Sequence, residues 1–180
     1  MGQADSIRVG IVMGSESDWT KIKSASAALE KFGVGHEVRV ISAHRAPESV
    51  RVYAAGAAAR GIKVIIAAAG GAAHLAGVCA SHTTLPVIGI PVVTELAGGL
   101  DSLLATVQMP GGVPVATVAA GAGGPRNAGL LAVQILALSD SALAEELVRF
   151  KQELAAAVAD KNEQLQAAIR EGRSQTTGDR

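Results

Sequence analysis

In ISAHRAPES, residues 41–49, a histidine, an arginine and a proline stand side by side at the end of an apolar run. His44 is a side chain that exchanges a proton near neutral pH without a large perturbation. Arg45 carries a forked set of donors suited to a phosphate or a carboxylate. Two uses fit the pair: acid–base work beside an anion, or the capping of loop carbonyls. Because either group is unfavourable at the end of a buried strand, the first use is favoured.

GSESD, residues 14–18, puts a flexible glycine, two hydroxyls and a carboxylate where a helical pattern starts. Backbone N–H groups with the Ser15 and Ser17 hydroxyls make a phosphate cradle, aided by the helix dipole. Asp18 can accept hydrogen bonds from a vicinal diol such as that of a ribose. The plain alternative is an N-cap, with Ser17 or Asp18 holding the first turn. AAAGGAAHLAG, residues 67–77, is nearly free of side chains before His74. Gly70 and Gly71, followed by alanines, let a ligand touch the backbone, and the apolar floor suits a planar ring or a small uncharged molecule. Tight helix-on-sheet packing explains the same residues, and His74 either binds or satisfies a carbonyl.

Other signatures fail. GAGGPR, residues 121–126, breaks the dinucleotide fingerprint at Arg126, no Walker loop exists, and Ser15 lies outside a nucleophile elbow. His44 and Glu48 have helical spacing, but Pro47 between them spoils a metal-binding face. His36 and His82 receive no role.

The elements that must position these loops follow from periodicity. Apolar, β-branched runs at residues 7–13, 36–42, 62–69, 86–92 and 113–119 alternate with stretches of helix length. The first helical stretch carries Trp19, Ile22, Ala25, Leu29 and Phe32 at nearly 3.6-residue spacing and stops at Gly33. Repeated βαβ punctuation predicts an α/β fold: a parallel sheet, buried as continuous apolar strands, covered on both faces. With strand order 2-1-3-4-5, the loops after the first three strands are neighbours at the ligand-binding edge. Pro47 then fixes where the second helix begins. A further helix is expected over 126–139, then a long amphipathic one opened by Asp140 or Ser141, with Leu143, Leu147, Phe150, Leu154, Val158, Leu165 and Ile169 along one side. The expected organisation is one catalytic domain over 1–172 and a polar tail over 173–180.

The 180 residues include 16 basic and 16 acidic ones with no long basic block, which argues against nucleic acid as a partner. Apolar residues make up 49% and aromatics only 2%, so the core is built from small aliphatics, and the apolar excess is read as a subunit interface of a homo-oligomer. Lone Cys79 excludes an internal disulfide and reads as a core residue in a reducing, cytoplasmic setting. No secretory signal or membrane span is expected. MGQADS fits the N-myristoylation pattern only formally.

VMGSESDW, SAHRAP, AGGAAHLAG and VQMPGGVPVATVA together resemble the signatures of the PurE family of de novo purine synthesis, over residues 7–138. Within that family the chain is similar to the N5-carboxyaminoimidazole ribonucleotide mutase branch. The branch that uses carbon dioxide directly typically reads lysine after the loop histidine and Arg-Ser-Asn in the third loop, where this chain has Arg45 and Gly71-Ala72-Ala73. Ala76 departs from the proline common in HLPG, which bears on the rigidity of that loop. The resemblance implies a flavodoxin-like fold with a five-stranded parallel sheet and a long C-terminal helix, a homo-octamer, and a ribonucleotide substrate. It implies that Ser15 and Arg45 hold the phosphate with Ser17 and Ser42 nearby, and that Asp18 holds the ribose. His44 would be the general acid/base, while Gly70, Gly71, Ala73, His74 and Leu75 surround the migrating carboxylate. No metal, biotin or ATP is implied. Two rivals keep the fold: a non-catalytic ribonucleotide binder, and a carboxylase that takes carbon dioxide directly. A phospho-receiver is disfavoured, because the third strand ends in Ala-Gly where the phosphate-accepting aspartate should stand.

Overall fold

The computed structural model describes residues 6–177, with side chains through residue 170. Gly2 of the acylation pattern and residues 178–180 of the expected tail lie outside the described residues. The chain divides after Ser139 into two compact units.

The first unit is a five-stranded parallel sheet in the order β2-β1-β3-β4-β5. Its strands are β1 Val9–Met13, β2 His36–Val40, β3 Val64–Ala69, β4 Val87–Pro91 and β5 Ala116–Thr117. Its helices are α1 Trp19–Ile22, α2 Ser24–Lys31, α3 Pro47–Gly56, α4 Leu75–Ser81, α5 Leu100–Val107 and α6 Gly123–Ala137. Strand alternation divides the core. Val12, Ile65 and Ala67 meet Val50, Tyr53, Leu75 and Cys79 from α3 and α4. The other face packs on α2 and α6, which approach so closely that a Cβ at Gly129 would press on Ala25 O at 2.6 Å and Ala28 Cβ at 2.8 Å. Each fully buried Ile or Leu, such as Ile11, Ile66 or Leu29, contributes about 1.5–3 kcal/mol by leaving water.

Register is what gathers the site. Met13 stands level with Val40 on one side and Ala68 on the other. The chain therefore leaves β1, β2 and β3 at one height on one edge, around the point where strand order reverses.

Within this unit the structure modifies three sequence expectations. The first helix is broken: Lys23 tightens to φ −53°, ψ −22° between α1 and α2. That 3-10-like turn still keeps Ile22, Ala25 and Leu29 buried, although Trp19 remains 36% exposed. Gly33, at φ +62°, closes α2 with Val34 N–H donating to Leu29 O at 3.0 Å and Gly33 N–H to Glu30 O at 3.0 Å, a Schellman end. Second, β5 has only two residues. Third, β2, at the edge where the expected order puts it, leaves Val38 and Val40 exposed and not buried. His44 and Arg45 are exposed as well, so burial of the strand is not what makes their placement unusual.

The second unit is dominated by α7, Ser141–Thr177, which runs past the expected helix end at residue 172. Leu143 N–H donates to Asp140 Oδ1 at 3.3 Å, so Asp140 is the cap. Among the described residues no helix is long and apolar enough to cross a membrane.

Candidate active site

A cavity of about 470 Å³ opens at the C-terminal ends of β1, β2 and β3 and is lined by residues from all three following loops. Ser15 and Asp18 come from the first, Ser42, His44 and Arg45 from the second, and Gly70, Ala73, His74 and Leu75 from the third. Gly14, Ala43 and Ala69, which carry no functional side chain, complete the wall.

In the first loop, Ser15 caps a short 3-10 turn, Glu16–Asp18. Its Oγ accepts the Ser17 N–H at 3.4 Å and lies 2.8 Å from Ser17 Oγ. Cap and cavity wall are thus the same residue, Ser15, and not Ser17 or Asp18 as the capping alternative had it: Asp18 makes no side-chain cap bond, and Ser17 stands behind Ser15 and off the wall. Burial raises the Asp18 carboxyl above its ordinary 3.8, against the opposing pull of the Lys21 charge and a backbone hydrogen bond at Ser15. An acid raised this way weakens the fold whenever it is ionised, so the penalty is complete above the raised value and gone below 3.8. Asp18→Asn is therefore expected to raise Tm at pH 7. Solvent screening keeps the gain to about 1–2 °C. Thermal melts at pH 7 and pH 3 check this, since the advantage should vanish at the lower pH.

The second loop is tied back to the first. Arg45 Nη2 donates to Gly14 O at 2.7 Å, and Arg45 Nε and its backbone N–H both donate to Ser42 Oγ at 3.2 Å. A guanidinium has five N–H donors, and the two side-chain bonds leave others for a ligand. Pro47 opens α3, as its fixed φ and missing N–H suit. His44 reaches across to the third loop: its Nε2 lies 2.7 Å from His74 Nδ1, with the rings edge to face, 4.9 Å between centroids. One ring must donate and the other accept, so a single proton is shared along that line.

The third loop turns through Gly71 at φ +67° and Ala73 at φ +43°. Alanine in the left-handed region costs about 1–2 kcal/mol, and surrounding contacts must hold it there. Ala73 and Leu75 are each 2% exposed. Gly71 does not reach the cavity; its N–H points away and donates to Ser102 Oγ at 2.9 Å. α4 starts at Leu75, so Ala76 occupies a first-turn position where proline is tolerated and alanine also serves.

Sequence reasoning missed Ser102. The available signal was a hydroxyl pair at i, i+4, Ser102 and Thr106, on the buried side of an apolar helix. Cys79 is a core residue, its thiol pushed up to about 12 by burial. Among the described residues no cluster of three or more His, Cys, Asp or Glu side chains could hold a metal ion.

A parallel sheet of order 2-1-3-4-5, with a polar cavity at its switch point lined by an arginine, seryl hydroxyls, a carboxylate and a histidine pair, defines a flavodoxin-like α/β protein whose cavity chemistry suits an anionic ligand. The family model described as AIR carboxylase matches residues 8–157, and the chain belongs to that family. It is 56% identical over 159 residues to N5-carboxyaminoimidazole ribonucleotide mutase of Mycobacterium tuberculosis, covering 88% of this chain and 90% of that protein. To the Bacillus subtilis protein of the same name it is 53% identical over 157 residues, 87% of this chain and 97% of the other. The crystal structure of Treponema denticola PurE superposes with a TM-score of 0.79 at 28% identity, over 87% of this chain and 97% of that one.

Proposed function

We propose that the chain is an N5-carboxyaminoimidazole ribonucleotide mutase, moving a carboxyl group from the exocyclic nitrogen to the adjacent ring carbon, C4. The single observation that carries this reading is that three loops, separate in sequence, line one cavity with Arg45, Ser15, Asp18, His44 and a small-residue wall. The names of its close relatives support the same activity.

In this reading Arg45 and Ser15, with Ser17 and Ser42 behind them, hold the phosphate, and Asp18 takes the ribose hydroxyls. Phosphate binding fixes the orientation of a base too small to fix its own. The N–C bond of the carbamate breaks, releasing carbon dioxide, while His44 gives a proton to the nitrogen. C4 then attacks the trapped carbon dioxide, and His44 takes back the proton displaced from C4. Atoms and charge balance without an oxidant or reductant. Gly70, Gly71, Ala73, His74 and Leu75 form the turn that keeps the carbon dioxide near the ring; local recapture in place of a bimolecular encounter is worth roughly several kcal/mol. His74, bonded to His44, orients the ring that moves the proton.

All the proposed site residues belong to the unit that ends at Ser139. The working form is proposed to be a cytoplasmic homo-octamer. What supports an assembly is the apolar face of α5, where Leu100, Leu104 and Val107 are each 48–49% exposed, more than a helix facing only water would carry.

The test is turnover of N5-carboxyaminoimidazole ribonucleotide without ATP, in the presence of labelled bicarbonate. The expected product, 4-carboxy-5-aminoimidazole ribonucleotide, forms faster than it takes up label. Rapid, obligatory label incorporation would instead assign the carboxylase that uses carbon dioxide directly, and absence of product would leave a passive binder.

A further inference from the structure

Under the third loop lies a hydroxyl that none of the site residues above accounts for. Ser102, in α5, has no exposed surface. Its Oγ accepts the Gly71 N–H at 2.9 Å and lies 3.4 Å from Asp101 Oδ1, the acceptor for its own proton. Thr94 Oγ1 donates to the same carboxylate oxygen at 2.7 Å. Ser102 O in turn accepts from Thr106 Oγ1 at 2.7 Å, which ties this residue into the helix from below.

Thr94 also stands close against the loop: a Cβ at Gly70 would come within 3.2 Å of its Cγ2. The segment between Thr94 and Asp101 folds back through three consecutive left-handed residues, Ala97, Gly98 and Gly99. That reversal brings Thr94 to the carboxylate of Asp101, seven residues on, which Ser102 also reaches. The chain therefore builds a support that bonds Gly71 and stands close against Gly70, the paired glycines of the loop.

We propose that Ser102, oriented by Asp101 and Thr94, is a positioning residue for carboxyl transfer: it holds the Gly71 N–H and so keeps the left-handed Gly71–Ala73 turn closed around released carbon dioxide. The inference rests on the mutase reading. The turn has no repeating hydrogen-bond pattern of its own, since its only backbone bond is Ala73 N–H to Gly70 O at 3.3 Å. Two left-handed residues held by one long bond need an outside anchor. The Ser102 hydroxyl is the one that meets the loop's backbone. Because the carboxylate takes the serine proton, the serine lone pair is directed at the amide. Asp101 is suited to stay ionised, its carboxyl lowered first by the Thr94 hydrogen bond.

A loosened turn should leak carbon dioxide without disturbing the phosphate contacts of Arg45 and Ser15. Ser102→Ala is expected to lower kcat about tenfold, the scale of a small misplacement at a reacting centre, while KM moves by less than about twofold. More tellingly, free aminoimidazole ribonucleotide should accumulate, and product should take up label from bicarbonate faster, relative to its formation, than wild-type product does. Thr94→Val, isosteric and at a half-buried position, should show the same leak more weakly even if Ser102→Ala fails to fold. Amide exchange at Gly71 should quicken in each folded variant. Wild-type partitioning in the variants overturns the proposal, whatever happens to their rate. Failure of the wild-type chain to convert substrate would sink the mutase reading instead, and the Gly71 exchange rate would still decide whether Ser102 anchors the turn.

Discussion

His44→Asn is expected to bind the ribonucleotide within a few-fold of wild type and to lose about 10²–10⁴-fold in kcat, the range that one positioned acid–base group supplies. His44 is exposed to the cavity, and its Nε2 lies 2.7 Å from His74 Nδ1. Asparagine is of similar reach and can keep a hydrogen bond toward His74, but it cannot accept and return a proton. The phosphate contacts assigned to Arg45 and Ser15 stay in place, so the loss should appear in kcat with little change in affinity. Steady-state rates together with calorimetric binding of the product separate the two. A near-normal rate would remove His44 from the proton path and move attention to His74, the other half of the shared bond.

Arg45→Ala should raise KM by about 10- to 150-fold, the equivalent of about 1.5–3 kcal/mol for hydrogen bonds to a charged group. It should also lower kcat, because anchoring the phosphate is what aligns the base. The guanidinium bridges two loops, through Gly14 O at 2.7 Å and Ser42 Oγ at 3.2 Å, while facing the cavity. Lysine, a point charge on a flexible stem, cannot make the bridge and the phosphate contact together, so Arg45→Lys should recover only part of the loss. Inhibition by inorganic phosphate gives an independent reading: it should weaken in parallel with KM. An unchanged KM with a lowered Tm would mean that Arg45 only clamps loop carbonyls.

The α/β architecture was legible because it is written in local patterns. The apolar runs that became β1, β3 and β4 are continuous, as strands buried on both faces require. Gly33 and Asp140 marked the ends of α2 and the start of α7 by cap chemistry that depends only on near neighbours. Strand order then placed GSESD, SAHRAP and GGAAHL on one edge, and the register of Met13 with Val40 and Ala68 brings them to one cavity. The exposure of Val38 and Val40 on β2, the shortness of β5 and the break at Lys23 were not legible. Each depends on what stands beside the segment in space, which its own periodicity does not encode.

By itself the sequence determined which side chains could do chemistry and that they end successive strands, because residue type, spacing and turn residues act over a few positions. Tertiary structure alone decided that His44 meets His74, 30 residues away, that Gly71 turns its N–H to Ser102 and not into the cavity, and that Ser17 stands behind Ser15. Such pairings are settled by the direction of a side chain or amide after the sheet has closed, and directions of that kind leave no period along the chain.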